Sequence, residues 1–440
     1  MSTPPAYQDH HPVLAQDVLA DDPYSTPSSP QYTLDAPPCE RVLQTSSAAT
    51  SSGSSTLGNA SSSEFIFKGY AMEINLGPKL WGLMLPAFGH NGHVEGTVKL
   101  YKNCTHTLRL VVSLIGRATI TCSRGRGIIA DAFATVVSQT VTIPLSGDGP
   151  YYPTEQPYTF SIPFPTYVKG GTLPIPPSFA AWSPGISSEV SYTLKVDAYR
   201  KGLRRHEDRI IPVFYLPKTW PSVPPFHGDI MTDFANPHGR VKTLRIPRLV
   251  SSQSSKSKLP DGWKAPIVKM SMPALSTFSS GFPIPVKVDI SCPESPALPK
   301  MLCPFLEVQL LRRLLSVVDG KMVLGSQDLV ICSGSLIETM TPQEGTTVSH
   351  FEVLVGQPGH EQTWQVKDVV EVSYILSVSI KPTENMKYLP RYRHEEVIHV
   401  VSEPWGTRER EMLHLGGISA PAVALNGARR PLRLTHSMNW

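Results

Sequence analysis

Apolar and polar residues alternate along several segments of this chain. In residues 188–199, every second side chain from Val190 onwards is apolar, and the side chains between them are polar. Residues 107–122 repeat the pattern, with Leu108, Leu110, Val112 and Leu114 on one face. A period of two places alternate side chains on opposite faces of a strand. These segments are therefore predicted to be β-strands with one buried face.

Further segments of similar composition, separated by Gly, Pro, Asn and Asp residues, form two series of predicted strands. The first series is 65–76, 94–101, 107–122, 136–145, 158–164, 188–199 and 209–216. The second series is 267–272, 283–291, 305–318, 322–332, 348–355, 369–380 and 395–402. Within 305–318, Leu306, Leu310, Leu314 and Val317 could also form one face of a helix. The type of that element remains open at this point.

Strands at this spacing, without convincing helices between them, are typical of antiparallel sandwiches. We therefore predict an all-β fold with two consecutive antiparallel β-sandwich domains and disordered tails at both ends. The predicted boundaries are 1–63 for a Ser/Thr/Pro-rich tail, 64–217 for the first sandwich, 218–265 for a linker with a flexible insertion, 266–405 for the second sandwich, and 406–440 for a basic tail. In residues 45–63, twelve of nineteen residues are Ser or Thr, too polar to offset the entropy of ordering.

Composition supports a fold with few helices. The chain contains 43 prolines in 440 residues, and proline inside a helix costs about 3 kcal/mol. The net charge of +4 is uneven, because residues 1–63 hold six acids and one base. The resulting basic surplus in the remainder suits acidic or phosphorylated partners, or an anionic membrane surface. It is too dilute to predict nucleic-acid binding.

The sequence predicts a cytosolic protein without cofactors. No apolar run reaches the roughly 20 residues of a membrane span, residues 1–20 lack the pattern of a signal peptide, and the six cysteines show no CxxC spacing. Residues 125–130 match GxGxxA, but a Val/Thr-rich strand follows where a dinucleotide site needs a helix, so a basic hairpin loop is favoured. For His90, His93, Cys104 and His106, turn and strand positions are favoured over a zinc site. We predict neither a metal site nor an enzyme.

The N-terminal segment contains a PPxY motif, Pro4-Pro5-Ala6-Tyr7. Two prolines preset a polyproline II backbone, so little entropy is lost when Pro4, Pro5 and Tyr7 dock on the aromatic groove of a WW domain. A weaker second WW ligand is predicted at Leu389, Pro390 and Tyr392.

Two further sets of residues are predicted to be functional. Thr3, Thr26 and Ser29 each precede proline and are candidates for proline-directed phosphorylation. A basic hairpin tip is a candidate contact for acidic cargo tails or anionic lipid; solvated turn charges are the alternative. Its residues are Arg200, Lys201, Arg204 and Arg205.

Several strings in residues 65–405 resemble the arrestin family. The string at 94–100, Val-Glu-Gly-Thr-Val-Lys-Leu, resembles an early strand of the arrestin N-domain. Residues 158–164, the Leu-Pro-Ile-Pro-Pro-Ser-Phe string at 173–179, and residues 190–199 together resemble a longer motif of that domain. In the second half the similarity is confined mainly to 369–380 and 395–401.

The resemblance implies a fungal-type arrestin-related trafficking adaptor, or alpha-arrestin. Such proteins bring WW-domain HECT ubiquitin ligases to transporters and receptors at the plasma membrane or endosomes, where they act as peripheral cytoplasmic proteins. The chain departs from the family in its long linker and in the N-terminal position of the PPxY motif. The alternatives are an arrestin-like subunit of a sorting coat, similar to a retromer subunit, and a scaffold in pH signalling. Neither needs ligase recruitment, and an enzyme is a remote third reading.

Overall fold

The computed structural model describes residues 63–101, 106–124, 127–145, 156–201, 207–225, 241–249, 264–318, 321–322, 327–386, 388–414 and 417–426. The chain divides into two units, Met1–Ala60 and Ser61–Trp440, and only the second contains described residues.

Most of the described residues lie in strands. The strands of the first half, which is defined as residues 63–225, are β1 (Glu64–Lys68), β2 (Met72–Pro78), β3 (Ala87–Phe88), β4 (His93–Leu100), β5 (Thr107–Arg124), β6 (Gly127–Pro144), β7 (Tyr158–Pro163), β8 (Phe179–Ser183), β9 (Ile186–Arg200) and β10 (Glu207–Tyr215).

The second half is defined as residues 241–426. Its strands are β11 (Val241–Ile246), β12 (Ile267–Pro273), β13 (Thr277–Ser279), β14 (Pro283–Ser291), β15 (Leu306–Val318), β16 (Lys321–Met322), β17 (Gln327–Ser333), β18 (Ser335–Gln343), β19 (Thr346–Leu354), β20 (Trp364–Val366), β21 (Val370–Ile380) and β22 (Tyr392–Val401). Its α-helices are α1 (Ala297–Leu302) and α2 (Arg408–His414), and its 3-10 turns are Cys303–Phe305, Glu384–Met386 and Val423–Asn426. The all-β prediction is thus confirmed.

The first half contains two sheets, with strand orders β1-β2-β4-β7 and β3-β10-β9-β5-β6. Its longest pair is the antiparallel β5–β6 hairpin, in which each strand has 18 residues. The predicted alternation along β9 is confirmed, because every second residue from Val190 to Ala198 is buried and the residues between them are partly exposed. These buried side chains pack in the core with residues of the other sheet, such as Val94 and Ile162.

The second half repeats this strand order, with β18 added at the edge beside β19. Its sheets are β11-β12-β14-β19-β18 and β13-β22-β21-β15-β16, with β17 beside β15. In each half a short strand pairs in parallel with the last strand, β3 with β10 and β13 with β22. In each half another short strand pairs with the start of a long one, β8 with β9 and β20 with β21. Matching the pairs Phe179–Val190 and Trp364–Val372 makes Tyr192 equivalent to Tyr374.

The element at 305–318, left open between helix and strand, is the strand β15. It pairs with β21 on one side and with β17 on the other, so its backbone is hydrogen-bonded along both edges. Because side chains alternate along a strand, Leu306, Leu310 and Leu314 share the core-facing side of β15, while Val317 lies on the other side. Leu310 is fully buried in the core, whereas its neighbour Arg313 points to the other face and binds Asp328.

Three predicted boundaries differ from the structure. The predicted linker 218–265 contains β11, which pairs with β12 as an edge strand, and the charges Lys242 and Arg245 hid its strand pattern. Strand β6 begins at Gly127 instead of near residue 136, because its pairing with β5 continues to the hairpin end. The predicted disordered tail 406–440 contains α2 and a described segment at 417–426; residues 427–440 lie outside the described residues.

The segment after β22 returns to the first half. Ser402 and Thr219 exchange hydrogen bonds, with the Thr219 N–H donating to Ser402 Oγ over 2.9 Å and the Ser402 N–H donating to Thr219 Oγ1 over 3.0 Å. Lys218 Nζ lies 2.9 Å from a carboxylate oxygen of Glu411 on α2. Further along, the Ala422 N–H donates to the Leu216 carbonyl over 2.8 Å. These contacts order the first part of the predicted tail.

Within the described residues, neither helix has the length and apolar character of a membrane span.

Candidate functional site

The predicted sites of the N-terminal segment all lie before residue 63, where the described part of the chain begins. Pro4, Pro5 and Tyr7 of the PPxY motif lie outside the described residues, as do Thr3, Thr26 and Ser29. These assignments stay predictions.

The second predicted WW ligand is wrong for the folded protein. Leu389 is 3% exposed and Tyr392 is 2% exposed, because the chain enters β22 at this point. The Tyr392 hydroxyl donates a hydrogen bond to the Pro266 carbonyl over 2.7 Å. Burial raises the pKa of Tyr392 to about 12. A WW domain needs the proline and the tyrosine ring of its ligand to be exposed, whereas Leu389, Pro390 and Tyr392 are all buried and act in the core instead. The burial of Tyr392 could not be predicted from the sequence, because the Pro and Arg residues around it are typical of an exposed turn.

The predicted basic hairpin follows β9. Arg200 is the last residue of β9 and is half-buried, whereas Lys201 is exposed and its N–H donates to the His106 carbonyl over 2.9 Å. Arg204 and Arg205 lie outside the described residues. Of the two cations that the structure describes here, Lys201 is the exposed one.

The residues considered for a nucleotide site or a metal site do not have the geometry that either site requires. Residues from Gly127 onwards form β6, so the helix that would hold a pyrophosphate is a strand here. His93 lies beside Ser161, with 3.3 Å between Nδ1 and Oγ, while the backbone of His90 bonds to Ser419. Among the described residues, no three His, Cys, Asp or Glu side chains converge in a way that would hold a metal ion.

A groove of about 760 Å³ in the first half, lined by residues of β1, β2, β4 and β7 and of the loop after β2, is our candidate binding site. Its apolar lining includes Phe65, Leu76 and Phe160, which are buried, and Leu80 and Trp81, which are exposed. Its volume lies in the range of ligand sites, about 300–1,000 Å³. The groove was not predicted, because its lining residues come from distant parts of the sequence.

The floor of the groove depends on Gly96 in β4. A Cβ atom at this position would lie 2.6 Å from the Asn75 carbonyl oxygen and 3.0 Å from Phe160. Only glycine lets β4 approach both groups, so the groove has a closely packed base.

Three polar side chains lie along one rim of the groove. Ser161 Oγ donates to a Glu95 carboxylate oxygen over 3.2 Å and lies 3.3 Å from His93 Nδ1. Acyl transfer needs the histidine between the acid and the serine, so that it can take the serine proton. Here the serine lies between the acid and the histidine, and all three residues are exposed. The arrangement suits hydrogen bonding to a polar group of a bound molecule.

The two halves meet at a junction that sequence analysis missed. Phe179 of β8 and Trp364 of β20 contact edge to face, with ring centroids 4.9 Å apart. The hydroxyls of Ser188 on β9 and Ser316 on β15 lie 2.9 Å apart and are buried. Both serines look like ordinary polar residues of half-buried strands, so their contact could not be predicted from the sequence.

A buried charge network lies on the second half near this junction. Tyr374 donates to Glu361 over 2.6 Å, and Arg312 lies 3.3 Å from the same carboxylate oxygen. Glu361 is 8% exposed, and the arginine partly compensates the cost of burying its charge. Burial, followed by the nearby Glu361 carboxylate, raises the pKa of Tyr374, which remains a hydrogen-bond donor.

No protein-family model matches the sequence, and no curated protein matches it.

Proposed function

We propose that this protein is a non-catalytic adaptor of the arrestin type. In this account, two arrestin-like sandwiches hold the cytosolic regions of membrane transporters or receptors. The PPxY motif at Pro4, Pro5 and Tyr7 docks on a WW-domain HECT ubiquitin ligase. The adaptor works in the cytoplasm, peripherally at the plasma membrane or endosomes, in ubiquitin-dependent endocytosis and sorting.

The repeated strand order is the observation that carries this proposal. Two successive sets of sheets share one topology, including the short parallel strands β3 and β13 and the short strands β8 and β20. Tandem sandwiches of one topology fit the arrestin resemblance of residues 94–100 and 173–179. They offer a binding platform instead of a deep catalytic cleft.

The PPxY motif supplies the second part of the proposal. Its prolines hold the backbone extended, and the three-residue turn of a polyproline II helix places Pro4 and Tyr7 on the same side. The prolines and the tyrosine ring can therefore occupy neighbouring slots of a WW domain. Since Leu389, Pro390 and Tyr392 are built into the core, the ligase-docking part of the proposal rests on the N-terminal motif alone.

In this account the adaptor raises the effective concentration of the ligase and the cargo for one another. When one chain binds both ligase and cargo, the second encounter becomes intramolecular, and this can raise overall avidity by about 10²–10⁴. The ligase supplies the catalytic cysteine, while this protein brings lysines of the cargo within its reach. The chain therefore needs no catalytic residues of its own in this role.

The test is a pull-down of the full chain with isolated WW domains. Wild type should be recovered, and Pro5→Ala and Tyr7→Ala should each lower recovery strongly. Tyr24→Ala is the matched control, because it removes a tyrosine from the same N-terminal segment without touching the motif. Equal recovery of wild type and Tyr7→Ala, or no recovery of wild type, would remove the ligase role.

A further inference from the structure

A cavity of about 360 Å³ lies in the second half, where β11 ends and β12 begins. It is here named the arginine pocket, because Arg245 and Arg248 both line it. Both arginines are exposed, whereas Ile246, Pro266 and Tyr392, which also line it, are buried. The pocket therefore combines two solvent-accessible cations with a buried, mainly apolar wall.

Strand pairing fixes both arginines at this place. Arg245 belongs to β11, which pairs with β12 along its whole length. Arg248 forms an isolated antiparallel bridge with Tyr392, and the next residue, Leu249, donates its N–H to the Arg391 carbonyl over 2.8 Å. The backbone on both sides of the arginine pocket is thus hydrogen-bonded, so the pocket is formed before any ligand binds.

Neither arginine has an acidic partner in the described part of the chain. No ion pair or side-chain hydrogen bond joins Arg245 or Arg248 to another described residue. The cations around the pocket are paired instead, in the ion pairs Lys242–Glu396, Lys264–Glu294, Arg391–Glu384 and Arg393–Glu395. The uncompensated positive charge is therefore concentrated at the arginine pocket.

A third cation lies beside the pocket. Lys269 of β12 is directly opposite Arg245, and like charges in this position destabilise a sheet. The acid on this face of the ladder is Asp289, which lies opposite Lys269 on its far side and 3.4 Å from Lys287. It is two strands away from Arg245, or about 10 Å. A bound anion would compensate the repulsion that Asp289 leaves.

Both arginine charges act on one buried hydroxyl. Burial raises the pKa of Tyr392 to about 12, while the positive charges of Arg248 and Arg245 oppose this rise. The two guanidinium groups therefore lie close to the same group in the wall of the pocket. A single anion in the pocket would be within reach of both.

A phosphate monoester matches this arrangement better than a carboxylate does. It carries a charge of about −1.5 to −2 at neutral pH and has three strong acceptor oxygens. Each guanidinium can donate two parallel hydrogen bonds, so two of them suit a phosphate, whereas one is enough for a carboxylate. An anionic membrane surface would need positive charge spread over a face. Here the acids Glu384, Glu395 and Glu396 neutralise the cations around the pocket.

We propose that Arg245 and Arg248 bind a phosphate monoester group in the arginine pocket, with Lys269 as a supporting charge. This goes beyond the proposed adaptor function and depends neither on the PPxY motif nor on the basic hairpin at Arg200 and Lys201. A soluble phosphate ester and a phosphoinositide headgroup share this chemistry, and the experiment separates the two sources.

The experiment is isothermal titration calorimetry of the full chain with glycerol 2-phosphate, with acetate as the carboxylate comparison. Co-sedimentation with phosphatidylcholine vesicles, with and without phosphatidylinositol 4-phosphate, tests the headgroup. The test variant is Arg245→Gln/Arg248→Gln. The matched control, Arg117→Gln/Arg209→Gln, removes two positive charges at exposed positions of the first half. Equal circular dichroism spectra and melting temperatures establish that each variant is folded, and Arg245→Lys/Arg248→Lys replaces the test variant if it is not.

Wild type and the control should bind glycerol 2-phosphate equally, and at least about tenfold more tightly than acetate, and either test variant should lose at least about tenfold in affinity. Sedimentation that requires phosphatidylinositol 4-phosphate, in addition to binding of the soluble ester, would support the proposal and identify the headgroup as one source of the phosphate. Equal binding by the test variant, an equal loss in the control, or equal affinity for acetate would overturn it. Sedimentation with these vesicles without binding of glycerol 2-phosphate would overturn it in favour of a membrane surface, and absence of all binding by wild type would also overturn it.

Discussion

Phe179 and Trp364 occupy equivalent positions in the two halves of the fold and contact each other across the junction. Phe179 pairs with Val190 at the start of β8, and Trp364 pairs with Val372 at the start of β20. Their rings meet edge to face at 4.9 Å between centroids, with 68° between planes. The repeated topology thus also builds the junction that joins the halves.

The contributions of Phe179 and Trp364 to stability should be coupled through this ring contact. Trp364→Ala removes a side chain that is 9% exposed, so we expect a loss of about 3–5 kcal/mol in the free energy of unfolding. The double variant Phe179→Ala/Trp364→Ala should be more stable than the sum of the single losses predicts, by about 0.5–1.5 kcal/mol. Chemical denaturation of wild type, the two single variants and the double variant measures this coupling free energy. Strict additivity would show that the ring contact contributes nothing beyond burial.

The buried hydroxyl of Tyr392 gives a second prediction. Tyr392→Phe leaves the Pro266 carbonyl without its donor, which should cost about 1 kcal/mol in unfolding free energy. WW-domain recovery should stay the same in this variant, whereas Tyr7→Ala should lower it. If Tyr392→Phe lowered WW recovery without changing stability, the tyrosine would be an accessible ligand and the assignment to the core would be wrong.

The salt-bridge network on the outer face of the second half gives a third prediction. Arg313 reaches Asp328 through two hydrogen bonds of 2.7 Å and lies 3.0 Å from Glu395, across β21. Arg313→Lys loses this two-pronged geometry, so we expect a loss of about 1 kcal/mol by chemical denaturation near neutral pH. Unchanged stability in Arg313→Lys would show that the positive charge at this position stabilises the fold and that the two-pronged hydrogen bonding adds nothing.

The same network predicts a dependence on acid pH. The hydrogen bond from Arg313 is the main cause of the lowered pKa of Asp328. The folded state therefore favours the charged carboxylate, and this stability is present above the unfolded pKa of about 3.9. It is lost as the pH falls through the lower, folded value. In Asp328→Asn the acid-dependent loss of unfolding free energy should be smaller than in wild type, and an equal loss would contradict the assignment.

His90 predicts a second pH effect, at the contact between the first half and the C-terminal segment. Burial, and then the positive charge of Arg408, lower the pKa of His90. The unfolded chain binds the proton first, so stability is present above the unfolded pKa of about 6.5 and falls with pH below it. In His90→Asn the slope of unfolding free energy between about pH 7 and pH 5 should be smaller. The bonds to Ser419 use the His90 backbone and should survive. Equal slopes in the two proteins would rule out this role for the His90 ring.

Strands with one solvent-facing side could be predicted from the sequence, and those shaped by distant contacts could not. Residues 188–199 show a period of two because only one face of β9 is buried. Strand β11 lacks that pattern because it is an edge strand with charged residues, so its segment was predicted to be a linker. In β15, leucines lie on both faces, and only the pairing with β21 and β17 decides between helix and strand.

The candidate site was less predictable than the fold. The PPxY motif is a local pattern and can be recognised without a structure. The groove combines Phe65, Leu76, Trp81 and Phe160, which strand pairing brings together from separate segments. Tyr392 shows the opposite case, since a local pattern suggested exposure while the entry into β22 buries it. The docking of the segment at 417–426 likewise depends on partners such as Leu216, far away in the sequence.

The most direct measurement of the adaptor account is affinity purification of the tagged full chain, combined with proximity labelling in its native cells. Wild type and Tyr7→Ala are compared, with Tyr24→Ala as the control. The account predicts that wild type and Tyr24→Ala recover a WW-domain HECT ligase together with membrane transporters or receptors, and that Tyr7→Ala loses the ligase but keeps the cargo. Recovery of sorting-coat subunits without any ligase, or equal ligase recovery by Tyr7→Ala, would contradict it.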